Sequence, residues 1–282
     1  MTHLQRLENP QGLESKDAAL HHALSALPSL IVAYSGGVDS AYLAFAATRA
    51  LGPRALCITA DSPSYPDRHR RLALRIAESF GLHHEIIKTD ELSRPEYRAN
   101  PANRCYYCKH ELYTHLTTIA RERGIAAIAD GSNADDRSDY RPGRQAAREF
   151  GVISPLDAAD LSKRDIRDLS HRAGLPTWDE PASACLSSRI PYFSEVTEQK
   201  LRLIERAEAA LRDLGFRVCR VRHHDSAARI EVGADELSRA FEPEMTATID
   251  RELRALGYRE VTIDPRGYRL GSLNDALRLR PV

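Results

Sequence analysis

The segment 35–40, with the sequence Ser-Gly-Gly-Val-Asp-Ser, combines residue types that bind phosphate. It follows a short apolar run and precedes a helix-forming stretch. Two adjacent glycines, Gly36 and Gly37, allow a tight turn whose N–H groups approach a phosphate closely. The N-terminus of the following helix adds partial positive charge and free donors, and Ser35 and Ser40 add hydroxyl donors. The segment therefore predicts a phosphate-binding loop, with an ordinary strand-to-helix turn as the alternative.

This loop contains no lysine. It therefore differs from the GxxxxGK[ST] loop, whose lysine serves γ-phosphoryl transfer. A loop that grips the two outer phosphates together suits attack at the α-phosphate, with pyrophosphate as the leaving group. The expected chemistry is adenylation by ATP, with Asp39 placed to hold a Mg²⁺ ion against the phosphates.

The cysteines fall into two groups. Cys105 and Cys108 form a C-x-x-C motif, and Cys185 lies in a Ser-rich stretch, so we expect all three in loops near the nucleotide. A structural zinc site usually takes four ligands, and a redox C-x-x-C needs no third cysteine. Three thiolates with an open fourth position suit a 4Fe-4S cluster that binds an extra ligand such as sulfide. Cys57 and Cys219 lie in apolar strands and are expected to be buried.

The elements that position these residues alternate between strand-like and helix-like stretches over the first part of the chain. Repeated β–α units predict an α/β fold with a doubly wound parallel sheet and helices on both faces. Such sheets bind ligands at the carboxyl ends of their strands. The predicted strands are residues 30–34, 55–60, 84–88, 125–129 and 151–155, and the predicted helices are residues 40–50, 67–80, 109–123 and 162–173.

The pattern changes at a Pro- and Ser-rich loop that begins near Pro181. The order of elements after it predicts a smaller α+β domain with an antiparallel sheet. We therefore expect two domains, residues 1–190 for ATP and residues 191–282 for substrate binding and oligomerisation. The second domain is predicted to contain helices within residues 197–214 and 235–256, and strands at residues 216–222, 228–232, 260–264 and 268–270.

The composition excludes several classes of protein. The 282 residues include 40 Lys plus Arg and 40 Asp plus Glu, and this zero net charge argues against a nucleic-acid-binding protein. No apolar run reaches the roughly 18–20 residues of a membrane span, and the first residues show no apolar signal segment. Five cysteines, an odd number, argue against a disulfide framework. We expect a cytoplasmic protein with a small-molecule substrate and no nucleic-acid or membrane partner.

The phosphate-loop sequence resembles the PP-loop of the ATP-pyrophosphatase superfamily, the adenine nucleotide alpha-hydrolase-like proteins that include NAD and GMP synthetases. The resemblance covers roughly the first two thirds of the chain. It implies that Ala60 and Ser62, at the end of the second strand, lie at the adenine. It also implies that Gly131 and Asp135 belong to a second nucleotide-contact loop, for which a simple helix N-cap is the alternative.

Three further motifs are NRCYYCK at residues 103–109, GSNADDRSDYRPG at 131–143 and PASACLSSRIPY at 181–192. Together they resemble the LarE family of ATP-dependent sulfur insertases of nickel-pincer nucleotide biosynthesis, over nearly the whole chain. The resemblance implies that Mg-ATP adenylates a carboxylate of pyridinium-3,5-biscarboxylic acid mononucleotide and that sulfur then displaces AMP to give a thiocarboxylate. It also implies a homo-oligomer, a hexamer in the family, with a sulfide source and a downstream nickel-insertion enzyme as partners.

The family contains two sulfur chemistries. In one, a single cysteine at the position of Cys185 gives up its own sulfur and becomes dehydroalanine. In the other, cysteines at the positions of Cys105, Cys108 and Cys185 hold a 4Fe-4S cluster that carries an extra sulfide. Because all three cysteines are present, the resemblance favours the cluster, with the sacrificial Cys185 as the alternative.

The same resemblance implies two of the substrate residues. Arg220 and Arg222 alternate on one strand, so they face the same way, and they resemble the phosphate-binding pair of the family. Guanidinium groups bind phosphate and carboxylate bidentately, and Arg189 is expected at the same site. Tyr106 is a candidate to stack on the pyridinium ring or to pack its loop. Glu208 is a candidate ligand of a further metal ion at a subunit contact, or an exposed helical glutamate.

Three other functions stay open. A cluster-dependent tRNA-thiolating enzyme needs a basic RNA-binding surface, against which the zero net charge argues. An amide-forming synthetase leaves the three cysteines unexplained. A regulatory module binds adenine nucleotide without forming a product.

Overall fold

The computed structural model describes residues 10–137, 142–181 and 184–269. The chain forms two compact units that interleave in sequence. Two short segments group with the C-terminal part of the chain, whereas the expected division was a single boundary after residue 190. The first unit comprises Met1–Asp61, Asp67–Thr89 and Cys105–Ser183, and the second comprises Ser62–Pro66, Asp90–Arg104 and Ala184–Val282.

A parallel sheet with strand order β3-β2-β1-β4 forms the centre of the first unit. Every pairing in it is parallel, which confirms the α/β fold. Its strands are β1 (Leu30–Ala33), β2 (Ala55–Asp61), β3 (His84–Lys88) and β4 (Ala127–Ala129). Within the described residues the α-helices are α1 (Pro10–Ser25), α2 (Val38–Leu51), α3 (Asp67–Ser79), α4 (Pro95–Arg98), α5 (Arg104–Arg123), α6 (Gly143–Glu149), α7 (Pro155–Ala158), α8 (Lys163–Arg172), α9 (Glu198–Asp213), α10 (Leu237–Ala240) and α11 (Pro243–Leu256).

Strands β1, β2 and β4 each contribute to two apolar cores, because successive side chains point to opposite faces. Leu30 and Val32 pack in one core with α1, α2, α3 and α8. Ile31 and Ile128 pack in the other core with α5 and α6. Helices therefore cover both faces of the sheet, as expected for a doubly wound fold.

One strand predicted in the first unit differs from the structure. Residues 151–155 form a single parallel bridge, between Ile153 and Ala129, instead of a strand. The chain leaves the sheet there because Pro155 begins α7, and proline favours the first position of a helix. Helix α1 was not predicted.

The second unit contains a three-stranded sheet in the order β5-β6-β7. Its strands are β5 (Cys219–His224), β6 (Ala227–Val232) and β7 (Glu260–Ile263). β5 and β6 are antiparallel, but β6 and β7 are parallel, so the expected antiparallel sheet is wrong for its third strand. The reason is that α10 and α11 lie between β6 and β7 and form the crossover that parallel neighbours require.

One face of this second sheet carries the apolar core of the unit. Val221, Ile230 and Val232 pack there against α9 and α11. The strand predicted at residues 268–270 lies partly outside the described residues, although the Tyr268 N–H donates to the Val232 carbonyl at 2.7 Å. None of the helices in the described ranges combines the length and apolar character needed to cross a bilayer.

Candidate active site

The turn between β1 and α2 has room only for glycine at its second residue. Gly36 has a φ of +67°, in the left-handed region. A Cβ added there would lie 2.7 Å from the Cβ of Ala73 on α3. The backbone of the turn therefore packs against α3 without an intervening side chain, and Gly37 is the N-cap of α2.

Hydroxyl groups tie the two ends of the turn together. Ser40 Oγ accepts from the Ser35 N–H at 3.2 Å and donates to the Gly37 carbonyl at 3.1 Å. The two serine hydroxyls lie 3.1 Å apart. Ser40 is buried, whereas Ser35 is exposed. Ser40 therefore holds the loop in shape, and the hydroxyl of Ser35 is the accessible one.

The loop after β4 packs directly on this turn. A Cβ at Gly131 would lie 3.0 Å from the Ser40 nitrogen and 3.3 Å from Asp39 Cβ. Asp135, further along the same loop, accepts from the backbone N–H of Lys163 at 2.8 Å. The structure thus brings together the two segments in which Gly131, Asp135 and the phosphate loop were predicted.

The two carboxylate oxygens of Asp39 have different surroundings. Oδ2 pairs with the ammonium group of Lys163, at the start of α8. Oδ1 is buried and has no hydrogen-bond partner. A carboxylate oxygen in that state fits a hard cation such as Mg²⁺, which prefers oxygen ligands.

Lys163 is a site residue that the sequence analysis missed. It supplies, from another element, the positive charge that the loop itself lacks. The available signal was Ser162, a residue type that favours N-caps, at the start of the helix predicted over residues 162–173; it forms a capping box with Asp165. Such a cap fixes the residue at which a helix begins. It therefore fixes the position of the next residue, which here is Lys163.

The two residues predicted at the adenine fall in different units. Ala60 lies near the end of β2, in the first unit, and pairs with Ile87 of β3. Ser62 belongs to the second unit, where its hydroxyl donates to Glu91 at 2.7 Å. Glu91 is almost fully buried, and sequence reasoning gave no signal for it.

Cys105 and Cys108 lie in the first turns of α5 and not in a loop, which corrects the prediction. The helix begins at Arg104 instead of residue 109. Helix propensity is a weak guide to where a helix begins. Residues three apart share a helix face, so the two thiols are neighbours; Cys105 is exposed and Cys108 half-buried.

A positive charge follows the C-x-x-C motif at Lys109. Its ammonium nitrogen lies 5.5 Å from the centre of the Tyr113 ring. The neighbouring Tyr113 and, less strongly, Asp130 raise the pKa of Lys109 although burial opposes this. A cation next to a thiol favours the thiolate, which is the reactive and metal-binding form.

The remaining cysteines are buried, as predicted. Burial raises the pKa of Cys57 to about 12 and that of Cys219 to about 11. Both thiols therefore stay protonated at neutral pH, and neither is a candidate nucleophile.

Three buried arginines bind the backbone of the loop that contains Cys185. Arg189 donates to the carbonyls of Ala184 and Cys185, at 2.9 and 3.0 Å. The guanidinium of Arg104 donates to the Ser187 carbonyl at 3.0 Å, and that of Arg222 to the Ser188 carbonyl at 2.8 Å. The loop is thus held by one of its own side chains and by two from distant parts of the sequence.

The face of the second sheet opposite the apolar core carries charged residues. Arg220 and Arg222 both lie on it, as their alternation predicted, and both are buried. Arg222 pairs with the buried Glu231 at 2.7 Å. Burial, and then the charge of Arg189, lower the pKa of Arg220. Buried carboxylates offset the buried arginines here, Glu231 for Arg222 and Glu208 for Arg189.

Glu208 is surrounded by donors in the interior of the second unit. Its oxygens accept from Arg189 at 2.7 and 3.1 Å, from Arg212 at 2.9 Å and from the Val221 N–H at 3.2 Å. Although burial opposes ionisation, Arg189 keeps the pKa of Glu208 below its usual value. The metal role suggested for Glu208 does not fit these contacts, since both oxygens are already engaged and the residue is 1 % exposed.

Tyr106, the candidate to stack on a pyridinium ring, lies on α5. Its hydroxyl donates to Glu149 at 2.7 Å. Its ring meets that of Tyr107 edge-on, with the ring centres 5.4 Å apart. The packing alternative therefore accounts for the contacts that Tyr106 makes, although its position is a helix and not a loop.

Across residues 10–137, 142–181 and 184–269, no three Cys, His, Asp or Glu side chains are grouped so as to hold a metal ion. The first unit contributes the Cys105 and Cys108 thiols, and the second contributes the Cys185 thiol. Neither unit by itself contains the three thiolates that a cluster of the expected kind requires.

Known proteins resemble this chain over nearly its full length. An uncharacterised protein of Synechocystis is 42 % identical over 94 % of this chain and 99 % of its own length. The pyridinium-3,5-bisthiocarboxylic acid mononucleotide synthase of Lactiplantibacillus plantarum is 36 % identical over 94 % of this chain and 96 % of its own. A more distant relative, the glutamine-hydrolysing GMP synthase of Aeropyrum pernix, is 24 % identical over 65 % of this chain and 39 % of its own.

No protein-family model matches the chain. The similarity to the Lactiplantibacillus synthase nevertheless spans both compact units, so it covers the phosphate loop as well as the Cys185 loop and the arginine strand. The chain therefore belongs to the LarE family of pyridinium-3,5-bisthiocarboxylic acid mononucleotide synthases.

Proposed function

We propose that this chain is an ATP-dependent sulfur transferase that converts a carboxylate of pyridinium-3,5-biscarboxylic acid mononucleotide into a thiocarboxylate. The observation that carries the proposal is the glycine-lined turn at Gly36, on which Gly131 packs and beside which Asp39 keeps one unpaired oxygen. The printed name of the 36 % identical synthase supports the substrate class.

In the first step a substrate carboxylate oxygen attacks the α-phosphorus of ATP. The bond between this phosphorus and the oxygen that bridges to the β-phosphate breaks, and pyrophosphate leaves. The N–H groups of the turn and the ammonium of Lys163 stabilise the charge on the leaving group. Asp39 would hold the Mg²⁺ ion, which neutralises phosphate charge when bound.

In the second step a sulfur nucleophile attacks the acyl carbon, and the bond to the AMP oxygen breaks. In the favoured form, Cys105, Cys108 and Cys185 would hold a 4Fe-4S cluster, which supplies the binding site for the sulfide that is transferred. In the alternative form, Cys185 Sγ attacks the acyl carbon itself. Loss of the Cys185 α-proton then breaks its Cβ–Sγ bond, which leaves dehydroalanine and releases the thiocarboxylate.

Arg220 and Arg222 are proposed to bind the phosphate of the substrate, because they are buried cations on one face of a strand.

Exchange of labelled pyrophosphate into ATP tests the first step. We expect exchange only when the biscarboxylic mononucleotide is present, and loss of exchange in Asp39→Asn. Exchange without any acid substrate, or none with it, would contradict the adenylation chemistry.

Anaerobic purification with iron and sulfide analysis tests the second step. The cluster predicts loss of iron in each of Cys105→Ala, Cys108→Ala and Cys185→Ala. A protein that lacks iron and becomes lighter by the mass of H₂S after turnover would instead identify Cys185 as the sacrificial donor.

Four further points remain predictions: the hexamer, the sulfide source, the downstream nickel-insertion enzyme and the cytoplasmic location. Light scattering on the purified protein tests the oligomeric state directly.

A further inference from the structure

A single carboxylate links the two functional features of the second unit. Glu208, on α9, binds Arg189 through both of its oxygens, and Arg189 in turn binds the carbonyls of Ala184 and Cys185. Glu208 also accepts from the N–H of Val221, which lies between the two arginines of β5. The Cys185 loop and the arginine strand therefore have one common anchor.

The environment makes this anchor rigid. The side chains of Arg189 and Glu208 are 2 % and 1 % exposed. Water cannot reach either charged group to solvate it. Removing one partner therefore leaves the charge of the other buried and unpaired. Arg189 can hold the loop only while its guanidinium is fixed in one orientation, and Glu208 fixes that orientation with a fork-like pair of hydrogen bonds.

We propose that Glu208 is a positioning residue for sulfur transfer: through Arg189 and Val221 it sets the placement of the Cys185 loop relative to the arginine strand, and it does not bind a metal ion. The inference deepens the proposed function, because it rests on the assignment of Cys185 to the sulfur-transfer step. A misplacement of about 1 Å at a reacting group typically costs about 100-fold in rate.

Glu208→Gln in the full-length chain tests the proposal. Glutamine has the same size, but its amide NH₂ would face a guanidinium or an N–H group. We expect substrate-dependent pyrophosphate exchange to stay within about twofold of the unchanged protein, while sulfur transfer falls by about 100-fold. A purely structural role would lower both steps together.

Two measurements are independent of activity. Hydrogen exchange of the amides in residues 184–190 should accelerate by about tenfold or more in Glu208→Gln. Equilibrium dialysis with Mn²⁺ or Zn²⁺ alone should give the same amount of bound metal for Glu208→Gln and for the unchanged protein.

Glu198→Gln is the matched control. Glu198 is an exposed residue of the same helix, and among the described contacts it pairs only with the exposed Arg202. This variant should change none of the readouts.

Unchanged loop exchange, unchanged sulfur transfer, or loss of one bound metal ion in Glu208→Gln would each overturn the proposal. If the variant fails to fold, Arg189→Lys replaces it: lysine keeps the charge but not the fork, so faster exchange at residues 184–190 is again expected. Absence of pyrophosphate exchange in the unchanged protein would contradict the proposed function, whereas the hydrogen-exchange result would still decide the positioning role.

Discussion

At the scale of single residues, the phosphate loop depends on positions where only one residue type satisfies the geometry. Gly36 combines a positive φ with the close approach of α3. Asp39 depends on a partner, Lys163, that is distant in sequence. The constraint at Gly36 is steric, and the constraint at Asp39 is electrostatic. We therefore expect a variant of Gly36 to lose stability as well as ATP binding, and a variant of Lys163 to lose mainly ATP binding.

Gly36→Ala should both destabilise the protein and abolish ATP binding. Left-handed backbone costs an ordinary residue about 1–2 kcal/mol, and overpacking against Ala73 adds about 1–3 kcal/mol. Urea denaturation and calorimetric titration with ATP measure the two effects. Gly81→Ala is the control, because Gly81 has a similar φ of +64° but nothing within 4 Å of the added Cβ. Equal losses of stability in the two variants would contradict the steric argument.

Lys163→Met should affect ATP binding more than folding. A partly exposed ion pair contributes at most about 1 kcal/mol to stability. Loss of the ammonium from the pyrophosphate site should weaken ATP binding by about tenfold, which corresponds to about 1.4 kcal/mol. Arg123→Met removes a comparable, partly exposed ion pair with Glu85 and should leave ATP binding unchanged. If both variants bind ATP alike, Lys163 has no role at the phosphates.

At the scale of elements, the start of α8 decides where Lys163 lies. Ser162 Oγ accepts from the Asp165 N–H at 3.1 Å, and Asp165 accepts from the Ser162 N–H at 3.0 Å. Lys16, on α1, also binds Asp165, at 3.0 Å. The cap therefore connects α1, α8 and the phosphate loop through neighbouring residues.

Ser162→Ala should lower the free energy of unfolding by about 1 kcal/mol, the usual value of an N-cap. It should also weaken ATP binding, since the first turn that carries Lys163 loses its reciprocal hydrogen bonds. Thr197→Ala removes the side-chain cap of α9, in which Thr197 accepts from the Lys200 N–H, and should cost similar stability without affecting ATP. Chemical denaturation and ATP titration of both variants provide the comparison.

At the scale of the whole molecule, the second unit is assembled from three separate segments of the chain. The segment Asp90–Arg104 contacts the loop after Cys185 repeatedly. The Asn100 side chain donates to the Pro191 carbonyl at 2.7 Å, and the Tyr97 and Ser187 hydroxyls lie 2.6 Å apart. A cut at residue 190 would therefore divide a packed unit.

Arg189→Met in the full-length chain should lower the free energy of unfolding by about 3–5 kcal/mol, because it leaves Glu208 buried without its main partner. Circular dichroism during urea denaturation measures the change. Arg202→Met, at an exposed residue of α9, is the control and should cost at most about 1 kcal/mol. Equal stability of the two variants would show that Glu208 does not need Arg189.

Two histidines should make the folded protein sensitive to mild acid. Burial lowers the pKa of His84 and of His223 from the ordinary 6.5. The unfolded chain therefore binds protons at these positions at a higher pH than the folded chain does. The free energy of unfolding should consequently fall as the pH drops below about 6.5, and these histidines should contribute no pH dependence above it.

Melting temperatures between about pH 7 and about pH 5 measure this effect, in the range where histidine titrates. In His84→Gln the decrease should be shallower, whereas His83→Gln, at an exposed neighbour, should leave the slope unchanged. Identical slopes in all three proteins would exclude His84 as a source of the acid sensitivity.

The sequence by itself determined the features that depend on near neighbours. The glycine turn, the alternation of β–α units, the Ser162 cap and the shared face of Arg220 and Arg222 all follow from residue type and spacing over a few positions. These determined the α/β class and the family. Local patterns suffice here because sterics, capping and strand alternation act within a few residues.

Only the tertiary structure decided which distant residues meet. The pairing of Lys163 with Asp39, the burial of Glu208 among guanidinium groups and the parallel direction of β7 each join segments far apart in the chain. An arginine or glutamate in a sequence has the same appearance whether it is solvated or buried. Its role is set by the desolvation and partners that folding imposes, and these belong to the packed molecule and not to any short segment of it.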